Sequence, residues 1–202
     1  MLVGLSAVTI SASIGVLLGL VSGFYGGPIE RVILWMADVQ IAFPFYLLVI
    51  SIVAAVRTGF GTMIIVFGLA GWVIYARLVR GVVLSLRRRE FVEAAQALGG
   101  SSFRIVVRHV LPNVLTPVII LATLRVASVI VWGSGLSFLG LCVPPPTPTW
   151  GRMLSDGRAY LANAWWTATF PGLAIMVTVL GINMLGDGLR DALDPRLELS
   201  GR

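Results

Sequence analysis

The sequence predicts an all-α polytopic membrane protein with about five transmembrane helices. Two observations carry that reading. No Asp, Glu, Lys, Arg or His occurs from Met1 to Ile29, and the 202-residue chain is 57% hydrophobic and only 12% charged, with a mean hydropathy of +0.95. Water-soluble domains are far more polar. A bilayer core needs about 20 apolar helical residues, so the first span falls within the opening segment. A secretory leader, the alternative there, would open with positive charge and end in a small-residue cleavage site. Here no Lys or Arg precedes Arg31.

Four more apolar runs follow, at residues 44–56 (extended backward by a semi-polar stretch from Val32), 62–76, 114–141 and 165–185. Gly and Pro inside them are compatible with membrane helices, because neighbouring helices satisfy the backbone groups that a kink frees. In the first span Gly15, Gly19 and Gly23 stand four apart. That small-xxx-small pattern lets a second helix backbone approach closely, and packing is the expected role.

Charge orients the spans. All basic residues are Arg, and Arg77, Arg80, Arg87, Arg88, Arg89, Arg104 and Arg108 crowd the stretch between the third and fourth spans. The positive-inside rule makes that stretch cytoplasmic. Alternation then puts Arg31 and the tail with Arg190, Arg196 and Arg202 inside, and Arg57, Arg152 and Arg158 outside. A pI near 10.7 is accounted for by topology and anionic lipid headgroups, so no nucleic acid is expected as a partner.

The same inventory excludes several chemistries. Cys142 is the only cysteine and His109 the only histidine, so neither an internal disulfide nor a Cys/His zinc cluster can form. His109 reads as a helix-end or interface residue. Ser137 has no His or Lys on its side of the membrane to act as a base, and reads as packing. No catalytic residue, metal or cofactor is expected.

Residues 87–110 are too charged to cross a bilayer and contain two helix-like pieces, 90–98 and 102–110, separated by Gly99 and Gly100. A left-handed Gly ends the first, and Ser101 caps the second. Glu90 and Glu93 favour the first helix's positive N-terminal end, while Ala94, Ala95 and Ala97 keep it slim. On the second piece Arg104 and Arg108 share one face, with Phe103, Val106, Val107 and Val110 on an apolar side. Leu111-Pro112-Asn113 is expected to break the helix before the chain re-enters the membrane. An ordinary amphipathic loop would look similar.

Glu93-Ala94-Ala95, three residues, Gly99, nine residues, then His109-Val110-Leu111-Pro112-Asn113 resembles the EAA loop of permease subunits of binding-protein-dependent ABC importers. His109 departs from the general pattern, which often has isoleucine, but is familiar in the dipeptide/oligopeptide/nickel branch. Leu136 to Leu141 with Pro144 to Gly151, Gly186 to Pro195, Ala42-Phe43-Pro44 and Tyr75 to Gly81 resemble that branch too, so the match runs nearly end to end.

The resemblance implies a type I importer permease fold of six spans, with the first expected to be missing here along with a cytoplasmic segment and an external loop. It implies a single permease domain over residues 1–202, with a cytoplasmic coupling loop at about 81–112 and an external loop at about 142–165. It further implies a bacterial or archaeal cytoplasmic membrane, a second and nonidentical permease subunit, two cytoplasmic ATP-binding subunits and an extracytoplasmic solute-binding protein. Glu93, Ala94, Ala95 and Gly99 would form the docking core for the ATPase, with Arg104, His109, Leu111 and Pro112 around it. The chain lacks lysine and so has no Walker phosphate loop; ATP would be hydrolysed elsewhere. Peptides or nickel are the expected solutes.

Outside the loop, Trp150, Trp165 and Trp166 suit interfacial anchors. Asp38, expected at the inner surface beside Arg31, and Arg125, within a span, are candidate pathway residues because intramembrane charges are costly. A stand-alone channel or secondary transporter using Asp38 and Arg125 is the alternative, and a polytopic membrane enzyme a third.

Overall fold

The computed structural model describes residues 1–56, 59–141 and 146–193, and among these every regular element is helical. Arg57, Cys142, Val143, Pro144, Asp194, Pro195, Arg196 and Arg202, which figure in the sequence reading, lie outside the described residues. Among the described residues four helices are long and apolar enough to cross a membrane, and a bent helix pair makes up to a fifth if counted as one span.

The first span is α1 (Leu2–Tyr25). It is followed by α2 (Gly27–Ala42) and α3 (Phe45–Ala55), which meet at 87°. Pro44 explains the bend: it disfavours helical geometry at the preceding residue, and Phe43 is extended at φ −91°, ψ 130°. The apolar run and the semi-polar stretch before it are therefore two helices.

Next comes α4 (Phe60–Leu86), which runs ten residues past the end of the apolar run that predicts it. Arg77 and Arg80 end the run without ending the helix, because α2 supplies carboxylates. Arg80 Nε donates to Glu30 at 2.6 Å, and Arg77 pairs with Asp38. Asp38 thus has Arg77 as its partner. Further along the same contact Gln40 donates to the Ala70 carbonyl at 2.6 Å and accepts from Trp72 Nε1 at 2.8 Å. Polar groups in a low-dielectric span must be matched in this way.

The centre of the molecule is the seam between α1 and α4. A Cβ on Gly19 would lie 2.6 Å from Val79 Cβ and 2.8 Å from the Ala76 carbonyl; on Gly23 it would lie 2.8 Å from Val83 Cβ; on Gly15 it would collide with Tyr75. Contacts advance four residues at a time on both helices, so the pair runs parallel, and the predicted packing role of the three glycines is what the structure displays. Ser11 Oγ adds an interhelical bond to the Gly68 carbonyl at 2.8 Å.

The elbow consists of α5 (Glu90–Ala97) and α6 (Ser102–Ile105). It leads through a π-helical turn (Val106–Val110) directly into α7 (Leu111–Phe138). The expected break at Leu111-Pro112-Asn113 is absent, and residues 102–138 form one span-length rod. Proline usually breaks a helix by lacking an N–H and crowding the preceding turn. Here the chain widens instead: Leu111 N–H bonds to the Val106 carbonyl, five residues back, and Asn113 Nδ2 donates to the His109 carbonyl at 2.7 Å.

Two helices complete the chain. α8 (Trp150–Gly157) lies across the far end of α7, with Gly151 pressed on Ser134 and Ser137, and Thr149 caps it. α9 (Trp166–Leu193) packs on α7 and α8, but only 11% of its most apolar window is buried, against 50% for α4.

Candidate functional sites: the elbow and a pocket at the broken span

The elbow sits where α1 and α4 end. Arg87 fastens this end, its guanidinium donating to the Gly23 carbonyl at 3.3 Å and lying 5.7 Å from the Phe24 ring centroid. A cation at the end of α1 also suits that helix's dipole.

From there α5 is anchored by one fully buried side chain, Val92, and by half-buried Ala95. It ends in a Schellman motif. Gly100 N–H bonds to the Ala95 carbonyl at 3.0 Å and Gly99 N–H to the Gln96 carbonyl at 2.9 Å, with Gly99 at φ +77°. Ser101 Oγ then accepts from Arg104 N–H at 3.4 Å to start α6, as its position predicts.

The motif residues are brought together at this one end, with different exposures. Glu93, Ala94 and Gly99 face outward, and Ala95 is turned half inward. Arg104 and Pro112 are exposed. Leu111 packs against the core, and His109 is half-buried with its ring 6.4 Å from that of Phe91. An open hollow of about 690 Å³ lies beside them, edged by Arg88, Arg89, Glu90, Phe91 and Asn113.

The expected apolar side of the second piece is met at Val110, which is buried, and at Val106, which packs against the core, and departs elsewhere. Ile105 and Val110 are the buried residues, whereas Phe103 is 75% exposed and Val107 is exposed too. The π turn rotates the register, so a 3.6-residue period carried through it misassigns the face. Leu98, 89% exposed, went unnoticed in the sequence. Its signal is position: a large apolar residue directly before the left-handed Gly99 sits on the helix cap, beyond the buried stripe.

The second site is a cavity of about 50 Å³ between α1, α3, α4 and α7. Phe45, the first residue of α3, packs against Trp132 with ring centroids 4.4 Å apart and the planes tilted by 39°, and Arg125 lies over the Trp132 ring at 5.4 Å from its centroid. Arg125 falls midway along α7. Among the described residues no carboxylate pairs with it, in contrast to Asp38, whose charge Arg77 balances. No group of His, Cys, Asp and Glu among the described residues could hold a metal ion.

A bundle of apolar helices with a bent helix pair and a slim, polar helical elbow at its arginine-rich end defines a multi-pass membrane protein. The family model described as binding-protein-dependent transport system inner membrane component matches residues 15–199, and the chain belongs to that family. It is 46% identical over 196 residues to the dipeptide transport system permease protein DppC of Alkalihalophilus pseudofirmus, covering 97% of this chain and 64% of that protein. Against the di/tripeptide transport system permease protein DppC of Pseudomonas aeruginosa the identity is 42%, covering 98% and 65%. Against the glutathione transport system permease protein GsiD of Escherichia coli it is 44%, covering 96% and 64%. The chain therefore spans just under two thirds of the length of these curated relatives. Among solved structures, a chain of the inward-facing MetNI methionine ABC transporter superposes with a TM-score of 0.72 at 18% identity, covering 95% of this chain and 93% of that one. The shared fold is that of a type I importer permease.

Proposed function

We propose that this chain is the transmembrane subunit of an ATP-driven importer that moves peptides across the cytoplasmic membrane, with nickel or a related solute as the other substrate class. The elbow carries the proposal: a short helix held by Val92, stopped by a Schellman turn, and exposing Glu93, Ala94 and Leu98. In this reading α5 inserts into a cleft on a cytoplasmic ATPase subunit. Alanines permit the insertion, Glu93 pairs with a basic group and Gly99 sets the angle, with Arg104, His109, Leu111 and Pro112 bordering the contact. The rigid rod of α6 and α7 then carries the ATPase's closing motion into the membrane.

The assembly has two permease subunits, this one and a nonidentical homologue, two ATPase subunits and an extracytoplasmic binding protein. Residues 1–202 act as one permease domain, with the coupling loop at about 81–112 and the C-terminus cytoplasmic, and with the loop at about 142–165 external. The peptide assignment is supported by what the relatives' names say they transport. Asp38 and Arg125 are the proposed pathway residues, Arg125 the stronger because Asp38 is already paired.

Copurification with an ATPase, together with ATP-dependent peptide uptake by the reconstituted assembly, tests the reading. Glu93→Arg should abolish both. Uptake that persists with every nucleotidase removed would instead establish a stand-alone channel or secondary transporter.

A further inference from the structure

We infer that Arg125 and Tyr75 form a carboxylate-binding site inside the helix bundle, one that holds an acidic end of the transported molecule; this rests on the permease reading above. Tyr75 is the first reason. It is 1% exposed on the buried flank of α4, it lines the cavity, and its hydroxyl has no hydrogen-bond partner. Buried polar atoms are almost always satisfied, so an orphaned phenol facing a cavity points to something that occupies it.

Arg125 is the second. It lines the same cavity from the middle of α7, about 21 Å from Leu111 at 1.5 Å per residue, and so near the centre of a bilayer. Its guanidinium has Trp132 as a face to lie on but, among the described residues, no carboxylate as an ion-pair partner. Cations at that depth normally pair with an anion or backbone carbonyls.

The remaining lining narrows the ligand. Ser11 also lines it, but its hydroxyl is already committed to the carbonyls of Phe67 and Gly68. Arg125 offers only donors, the Tyr75 phenol and the Trp132 indole N–H can donate as well, and no acid lines the space. A cationic site this rich in donors favours an anion that offers oxygen acceptors, and an arginine fork fits a carboxylate bidentately.

Size narrows it further. About 50 Å³ exceeds the roughly 10–15 Å³ that one water needs but is far below the roughly 300–1,000 Å³ of pockets for whole small molecules. The cavity accepts a carboxylate head, with the rest of the molecule outside. It also lies at the break of the second span: Phe45 opens α3, whose N-terminus has no side-chain cap, and half-helix N-termini favour anionic groups.

The test uses the assembled transporter in lipid nanodiscs, labelled with fluorotryptophan, with the Trp132 resonance assigned by Trp132→Phe. Acetate and acetyl-alanyl-alanine should each move that resonance saturably as Arg125 leaves the ring, while the peptide's C-terminal amide should not. Tyr75→Phe should weaken the acids by about tenfold, Arg125→Gln should abolish the response, and Arg125→Lys should retain part of it. No saturable shift with either acid, an equal shift with the amide, or an unchanged response in Arg125→Gln would each overturn the inference. A shift present in the isolated chain but lost in the assembly would give the site to a partner's carboxylate and overturn the substrate assignment. If the acids bind while the wild-type assembly imports no peptide, the site stands and the peptide reading falls.

Discussion

The α1–α4 seam and the elbow are both built from small residues, for opposite reasons. In the seam glycine is needed for space, since any Cβ at Gly15, Gly19 or Gly23 lands within 3 Å of α4 atoms. At the elbow, a Cβ on Gly99 would meet nothing within 4 Å, and the need is conformational, φ +77°. One region uses small residues to bury surface, and the other uses them to leave surface bare. Where Gly spaces helix backbones it makes an immobile centre; where Gly and Ala thin a helix against open surroundings, they leave room for another molecule.

Substitution in the seam should have the largest effect. Gly19→Leu would force its side chain between Val79 and the Ala76 carbonyl and is expected to abolish recovery of monodisperse protein, read by size-exclusion chromatography in detergent. Gly19→Ala should cost about 1–3 kcal/mol, the usual penalty of overpacking a close contact, read as a lowered unfolding midpoint. A Gly19→Leu protein that extracts normally would break the comparison, because the seam would then be yielding.

Glu93→Arg comes next and should act in reverse. Glu93 is exposed, so yield and unfolding midpoint should match wild type, while ATP-dependent uptake is lost as the new cation meets the basic group proposed for the ATPase. Equal loss of stability and uptake would mean that Glu93 supports the fold.

How much of this was legible in the sequence follows the same division. The seam was readable because a spacing of four is enforced by helix geometry, and the spans were readable because bilayer thickness fixes their length. The turn at Gly99 and the cap at Ser101 were readable because single-residue chemistry dictates them. What sequence missed depends on partners distant in the chain. Arg77 and Arg80 look like the end of a span until Glu30 and Asp38 are seen beside them, and Pro112 looks like a break until the π turn supplies the missing width. The pocket joins Ser11, Phe45, Tyr75 and Arg125 from four helices; the sequence marked Arg125 as odd but gave no hint of Tyr75.

Gly99→Val lies between the two regions and sharpens the contrast. A β-branched residue held in the left-handed region costs about 1–2 kcal/mol, with no collision to add. The bundle should therefore still form, while the angle of α5 relaxes and ATPase copurification weakens more than the unfolding midpoint falls. Gly99→Asn, which tolerates positive φ better than other residues, should restore most of the copurification.

The smallest effect is expected at Ser101. Replacing an N-cap serine by alanine costs about 0.5–2 kcal/mol, and the 3.4 Å separation between Ser101 Oγ and Arg104 N–H places this cap at the weak end. Its loss cannot propagate far, because α6 continues through the π turn into α7 and is held by Ile105 and Val110, both buried. Ser101→Ala should therefore speed amide exchange by about twofold at residues 103–105 and leave exchange at residues 114–118 unchanged. Faster exchange along α7 as well would mean that the rod is nucleated from the elbow, and the seam would then no longer be the element that holds the bundle independently of it.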